Sequence, residues 1–354
     1  MKKRALKVFV GLSGGVDSAV SAYLLQKAGH DVTGVFIKGW YPEWLPCTWR
    51  EERRDAMRVA AHLGISFLTC DAEAEYRDSV AHHMIAEYKA GRTPNPDVLC
   101  NKEIKFGTFF RFALNHGADV IATGHYAQVS DGVLKEGVDK EKDQSYFLWT
   151  IPGEILQKVM FPIGGYKKSV VRTFATKAGL PNAQKKDSQG ICFLGEVDMK
   201  EFLRHYIPSE KGLVFDVHGN TIGEHDGATF FTIGERHGFI LYTPSPTPLY
   251  VVAKDIAANT ITVSARITGD VSTKTKKIEL QDLVLRKELT ESDTVLVRIR
   301  YRQEPQTGTL KHVGSGSMTI TFDTAQDGVA PGQSAVIYIK DECVGGGIIR
   351  TCRS

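Results

Sequence analysis

The stretch Val10–Gly29, VGLSGGVDSAVSAYLLQKAG, constrains the fold more than any other part of the chain. An apolar strand end runs into two glycines and two serines, and Asp17 then opens a helix that Gly29 stops. A strand, a glycine turn and a helix in that order make a cradle for phosphate. Backbone N–H groups can approach an anion, Ser13 and Ser18 add hydroxyl donors, and the helix aims its positive end at the same point. The loop reads Ser13, Gly14, Gly15, Val16, Asp17, Ser18, and it lacks the lysine of a G-x-x-x-x-G-K-S/T loop, which is drawn to the terminal phosphates. Such a cradle suits a pyrophosphate that departs, since no γ-phosphoryl group in flight needs stabilising. The competing reading is a glycine turn ahead of an ordinary core helix.

The flanking pattern agrees with the cradle. KVFVGL, DVTGVFIK and ISFLTCDA read as strands separated by helical stretches, and in EERRDAMRVAAHLG the residues Ala56, Val59, Ala60 and Leu63 fall on one helix face. ADVIATGHYAQV predicts another strand, and the two prolines of TPNPD predict a loop. Repeated β–α–β units imply a parallel sheet with ligands at the carboxyl ends of its strands. From about residue 206 the helical period fades and glycines, threonines and short alternating runs take over. TVLVRIRYRQ alternates Val295, Val297, Ile299 and Tyr301 with Leu296, Arg298, Arg300 and Arg302, as on the two faces of a strand. We expect an α/β protein with a doubly wound parallel sheet over residues 1–205, a small central domain over 206–272 and a C-terminal β-barrel over 273–354.

A net charge of +3 permits an RNA partner without arguing for one. No apolar run is long enough to span a bilayer, and the basic start MKKRALK lacks the core and cleavage site of a signal peptide, so a cytoplasmic location is expected, with no membrane partner. The cysteines Cys47, Cys70, Cys100, Cys192, Cys343 and Cys352 include no C-x-x-C pair, which disfavours a zinc site and a disulfide framework. His82–His83 is too isolated to hold a metal, so no metal ligands are assigned. In a reducing compartment a lone cysteine is an inert core residue or a reactive thiol. Cys100 stands near a helix start with Lys102 and Lys105 close by, and Cys192 follows a glycine turn with Lys185 and Lys186 upstream. Helix N-termini and lysines favour thiolate.

The SGGVDS loop resembles the signature of the PP-loop ATP pyrophosphatases, which cleave ATP to AMP and pyrophosphate and adenylate an oxygen of their substrate. The segments TPNPDVLCNKEIKF, ATGHYAQV, KDQSYFLWT, FPIG, KKDSQGICFLG, GEHDGATFFTIGERHGF, RIRYRQ and VAPGQSAVIYIKDECVGGGII are similar to those of the bacterial tRNA-specific 2-thiouridylases. The likeness runs from the loop to the final glycines. It implies a Rossmann-like PP-loop domain and a tRNA-contacting barrel. It also implies a tRNA-uridine 2-sulfurtransferase activity that adenylates the 2-oxygen of the wobble uridine and replaces it with sulfur from a cysteine persulfide.

The resemblance further implies residue roles. Cys192 carries the persulfide, Cys100 is the nucleophile and partner thiol, and Asp97 is the acid/base. Cys100 then either releases hydrogen sulfide from the persulfide or helps to displace sulfur directly, leaving a transient Cys100–Cys192 disulfide. Gly11, Leu12, Ser13, Gly14, Gly15, Val16, Asp17, Ser18, Ile37 and Gly124 would hold ATP, with Mg2+ expected alongside it. Asn95, Pro96, Asp97, His125, Lys142, Asp143, Gln144, Arg300, Tyr301 and Gln333 would contact tRNA. Asp97 has a capping role as its alternative, and the arginine-bearing strand has a solvated face. A sulfur-carrier or persulfide-donating protein and a thiol reductant are the further partners. The chain departs from the family at Ile37, where methionine is commoner, at Gly39, where asparagine is commoner, and in YPEWLPCTWREE. A small-molecule amide ligase using the same loop explains neither cysteine, and an RNA-binding protein with a dead loop does not explain an intact cradle.

Overall fold

The computed structural model describes residues 4–45, 48–187, 190, 192–193, 195, 197–265, 274–314 and 316–353. Cys47 and the expected boundary at 272/273 lie outside the described residues. The chain forms two compact units. The first comprises Met1–Ala81, Pro96–Val197 and Tyr338–Val344, and the second His82–Asn95, Asp198–Ile337 and Gly345–Ser354.

The first unit is built on a five-stranded parallel sheet in the order β3-β2-β1-β4-β7, from β1 (Lys7–Gly11), β2 (Asp31–Lys38), β3 (Ser66–Asp71), β4 (Val120–Ala122) and β7 (Val159–Met160). β1 lies at the centre, with Val8 beside Val32 on one side and Val120 on the other. Val8, Phe9 and Val10 are all buried, as a parallel strand covered on both faces requires. Helices α1 (Val16–Lys27) and α2 (Trp49–Leu63) pack against it, α2 through Ala56, Val59 and Ala60. Gly29 and Gly64 take left-handed φ of 87° and 64° at the ends of these helices.

The expected strand Ala118–Val129 is two strands. β4 stops at Ala122 and β5 (Ala127–Ser130) turns away to pair antiparallel with β6 (Val133–Glu136). Between them Thr123–Tyr126 leaves the sheet to cross the glycine loop, where the backbone at Gly124 lies against Asp17 and Ser18. The proline-rich segment also does more than loop. Pro96 opens a short helix, Pro96–Leu99, and the chain continues as a π-helix over Cys100–Thr108. The Phe109 N–H closes that helix on the Ile104 carbonyl five residues back.

In the second unit a sheet in the order β10-β9-β8-β12-β11 forms from β8 (Gly212–Phe215), β9 (Thr221–His225), β10 (Phe239–Leu241), β11 (Tyr250–Asp255) and β12 (Thr260–Ser264). Its core is Val214, Phe231, Val251, Ile261 and Val263. Six antiparallel strands then follow, β13 (Thr275–Leu285), β14 (Thr294–Arg298), β15 (Gln306–Gly314), β16 (Ser317–Gln326), β17 (Ser334–Ile339) and β18 (Glu342–Arg353). They run in the order β13-β16-β15-β14-β17-β18, and pairing of β13 with β18 closes a barrel. The β17–β18 turn with the strand ends beside it, Tyr338–Val344, is counted with the first unit. There Glu342 pairs with Lys135 of β6, and the Tyr338 and Ser145 hydroxyls meet at 3.1 Å. No helix among the described residues is long and apolar enough to cross a membrane.

The arginine stripe does not persist. β14 ends at Arg298, and a turn follows in which the Gln303 side chain accepts the Ile299 N–H at 3.0 Å and Arg302 takes a left-handed φ of 61°. Arg300 donates from Nη2 to the carbonyls of Ile233 at 3.1 Å and Gly328 at 2.5 Å. The guanidinium of Arg302 lies 5.1 Å from the centre of the Tyr301 ring.

Candidate active site

The loop between β1 and α1 forms the first half of the site. Gly14 has a φ of 75°, and a Cβ there would lie 2.8 Å from the Glu52 carbonyl and 2.9 Å from Asp55 Cβ, so glycine is required on both counts. The serine hydroxyls brace the loop: Ser13 Oγ and Ser18 Oγ lie 3.3 Å apart, Ser13 Oγ accepts the Gly15 N–H at 3.3 Å, and Ser18 Oγ donates to the Gly15 carbonyl at 3.1 Å. Asn182 donates to the Gly14 carbonyl at 3.0 Å. No side chain caps α1, whose N-terminus is preceded by the extended Gly15. These features fit a bound phosphate chain. Leu12 is buried against Gly34, and Ile37 is buried close to Gly11, so these residues shape the floor beneath the loop.

Asp17 is engaged. Its carboxylate accepts both contacts of Lys168 Nζ, at 2.7 and 2.8 Å, and the Tyr126 hydroxyl at 2.8 Å. Lys168 also meets Asp187 at 2.8 Å, and Asp187 in turn binds Lys142 at 3.0 Å and Arg172 at 2.7 Å. Although burial pulls the other way, the hydrogen bonds from Lys168 and Lys142 and their charge hold Asp187 down to about 2. Lys168 opens the helix Lys168–Lys177 and was not singled out by the sequence, because 151 residues separate it from Asp17. No group of three or more potential metal ligands is present among the described residues. Asp17 is tied to Lys168 and Tyr126, and no step below is routed through a magnesium ion.

The two cysteines form the second half. Cys100 is fully buried, whereas Cys192 is half-buried, and their thiols are within hydrogen-bonding reach of one another. Lys105 Nζ donates to Cys192 Sγ at 3.3 Å and lies 3.5 Å from His125 Nε2. Asp97 sits inside the first helical turn, not at its cap, and its Oδ1 accepts the Cys192 N–H at 3.4 Å. The Tyr76 hydroxyl donates to the Cys192 carbonyl at 2.7 Å, and the Phe193 ring packs edge-on against Tyr76 at 5.7 Å. A Cβ at Gly39 would lie 2.8 Å from Phe193 Cβ, so the family departure at this position bears on the cysteine segment. The hydrogen bond from Cys100 and the charge of Lys105 outweigh burial and bring Cys192 down to about 7. Burial, the hydrogen bond to Cys192 and that sulfur's negative charge drive Cys100 well up. One thiol of the pair is therefore ionised near neutrality, and it is the accessible one.

Three consecutive residues join the halves. The backbone of Gly124 lies on Asp17 and Ser18, the ring of His125 meets Lys105, and the Tyr126 hydroxyl meets Asp17. His125 is buried between Phe106 and Phe161, with Nδ1 2.7 Å from Thr123 Oγ1. Burial and the neighbouring Lys105 keep it neutral, so it accepts from the ammonium and donates from Nδ1 to Thr123.

The residues expected at tRNA fall in both units. Asp143 is buried and accepts the backbone N–H groups of Gly137 and Ser145 and the Ser145 hydroxyl. Gln144 accepts the Tyr126 N–H at 3.0 Å and so holds the end of the Gly124–Tyr126 crossing. Asn95 and Pro96 are half-buried, as is Gln333, whose amide donates to the Thr93 carbonyl at 2.8 Å. Arg300 is exposed and Tyr301 half-buried.

Residues 6–196 match a family model described as a tRNA methyl transferase HUP domain, residues 200–265 its PRC-barrel domain, and residues 275–349 an aminomethyltransferase β-barrel domain. The chain is 43% identical over 356 residues to a tRNA-specific 2-thiouridylase MnmA of Streptococcus uberis, covering 97% of this chain and 95% of that one. It is 45% identical over 352 residues to the protein of the same name from Geobacillus thermodenitrificans, covering 97% and 94%. Among solved structures, a U34-tRNA thiolase from Methanococcus maripaludis is 17% identical over 57% of this chain and 65% of its own, with a TM-score of 0.37, a likeness that carries no argument.

Proposed function

The chain belongs to the tRNA-specific 2-thiouridylase family, and from that premise we propose how its site exchanges the 2-oxygen of the tRNA wobble uridine for sulfur. ATP lies with its phosphates on Ser13–Ser18, and Ile37 and Gly124 border the nucleotide. The uridine 2-oxygen attacks the α-phosphorus, pyrophosphate leaves, and the carbonyl oxygen becomes part of a good leaving group. Asp97, beside the sulfurs, handles the proton at the base. The terminal sulfur of a Cys192 persulfide adds to the activated carbon. Cys100 then attacks Cys192 Sγ, the sulfur–sulfur bond breaks with its electrons left on the new C–S bond, and AMP is expelled. The products are thiouridine, AMP and a Cys100–Cys192 disulfide, which a thiol reductant reopens.

The observation that carries this reading is the meeting of two thiols through hydrogen bonds, one of them ionised, tied by Gly124–Tyr126 to a pyrophosphate cradle. A disulfide needs Cα atoms within roughly 4.4–6.8 Å, which a hydrogen-bonded thiol pair approaches with little movement. Lys168 answers the missing loop lysine: it brings a cation to Asp17 from outside the loop. The exposed turn Arg300–Arg302 offers cations and an aromatic ring to RNA. A persulfide-donating protein delivers sulfur to the accessible Cys192, and the chain works in the cytoplasm, over domains 1–205, 206–272 and 273–354.

The test is incubation of the purified chain with unmodified tRNA, ATP and a persulfide donor, followed by mass analysis of the nucleosides. Thiouridine should form in step with AMP and pyrophosphate. Pyrophosphate release that follows an amino-acid substrate and ignores tRNA would overturn the reading. In the same assay Lys168→Met should lower tRNA-dependent ATP–pyrophosphate exchange by about 10²–10³, the cost of removing one donor aimed at developing charge, while the melting temperature moves little.

A further inference from the structure

The π-helix after Cys100 gives Lys105 a position that ordinary helical winding would deny it. In an α-helix five positions turn a side chain about 140° away from where it began. With hydrogen bonds closing from i to i+5, five positions make a little more than one turn, so Lys105 returns towards the face that carries Cys100. From there its ammonium reaches the sulfur of Cys192, 87 residues away, at 3.3 Å. Its other close partner among the described residues is His125 Nε2 at 3.5 Å, a neutral acceptor that supplies no counter-charge.

We propose that Lys105 selects Cys192 as the sulfur-loading thiol, holding its sulfur as an anion while the buried Cys100 keeps its proton. The inference rests on the reading of Cys192 as the persulfide carrier. Loading then balances simply. The Cys192 thiolate attacks the outer sulfur of a donor persulfide R–S–SH, one S–S bond forms to Cys192, the donor's S–S bond breaks, and R–S⁻ departs with the electron pair. The proton stays on the transferred sulfur or is lost to solvent, and Lys105 holds the resulting persulfide anion at the mouth of the site.

The groups that face this sulfur come from every neighbouring element. Cys100 and Lys105 lie on the π-helix, Asp97 on the turn before it, and His125 behind Lys105; Tyr76, with Tyr41 near it, flanks the Cys192 backbone. The cysteines and Asp97 surround Lys105 with acidic groups that outweigh burial and raise its hold on its proton. The ammonium therefore stays charged across the whole range in which Cys192 titrates.

The test follows carbamidomethylation of the Cys192 peptide by iodoacetamide against pH, read by mass spectrometry on the full chain without ATP or tRNA. The wild-type midpoint is expected near 7. Lys105→Met should raise it by about one unit, and Lys105→Arg should restore it. Loading from glutathione persulfide should slow about two- to fivefold at pH 7 in Lys105→Met, because a rarer thiolate is partly offset by a more nucleophilic one, and should recover at higher pH. A purely structural role for Lys105 would not move the midpoint. An unchanged midpoint in Lys105→Met overturns the proposal, and so does a wild-type midpoint at or above about 8.5, the value of an ordinary cysteine, which needs no variant. Loss of tRNA thiolation with this profile intact would instead count against the proposed function alone.

Discussion

A Cys192→Ser chain is expected to release pyrophosphate from ATP in the presence of tRNA and to make no thiouridine. Serine keeps the volume and a hydrogen-bonding atom, so the Asp97, Lys105 and Tyr76 contacts can persist and the cradle is untouched. Its hydroxyl ionises far above neutrality and cannot accept sulfur from a persulfide. Removal of a covalent nucleophile of this kind typically costs about 10³-fold or more. The measurement is nucleoside mass analysis beside pyrophosphate release on one sample. Thiolation at the wild-type rate would remove Cys192 from the sulfur path. Loss of both signals would instead show that the substitution had spread to the cradle.

The second large effect is expected from one methyl group. In Gly124→Ala the new Cβ would lie 2.7 Å from the Ser18 nitrogen and 2.8 Å from the Asp17 carbonyl carbon. Both atoms are backbone, so no rotamer relieves the contact and the loop or the crossing segment must shift. A displacement near 1 Å at a reacting group costs about 10²-fold, and kcat/KM for tRNA-dependent pyrophosphate release should fall by that much. Gly165→Ala is the control, since a Cβ there meets nothing within 4 Å and the residue needs no left-handed backbone. Equal rates in the two variants would mean that the cradle tolerates movement that the contact at Gly124 forbids.

What could be read before the structure was the chemistry that lies in adjacent residues. SGGVDS announces an anion cradle because its parts are local, and the strand before it and helix after it are visible from apolar spacing. Cys100 and Cys192 stood out through their neighbouring lysines, although only folding shows that Lys105 serves Cys192 and not Cys100 alone. The reach of Lys105 to Cys192 was hidden by helix type: a π-helix differs from an α-helix in hydrogen bonding, not in any residue pattern that periodicity reveals. Lys168 was hidden by distance, since nothing near it in KKSVVRTFATK points to Asp17. The single strand expected over Ala118–Val129 failed because apolar spacing runs through Gly124, where the chain leaves the sheet so that one backbone can pass close over another. The stripe at Arg298, Arg300 and Arg302 failed because β14 ends at Arg298 and the Gln303 side chain helps to close a turn that alternation cannot foresee.

The turn between β17 and β18 has a consequence for how the protein is made. Residues 338–344 complete the unit that carries the site, yet residues 198–337 are synthesised first. Until Tyr338 reaches Ser145 and Glu342 reaches Lys135, the nascent chain holds a cradle and two thiols without the piece that finishes their scaffold. The unit that holds the cradle and both thiols is therefore complete only once the chain has been made through Val344.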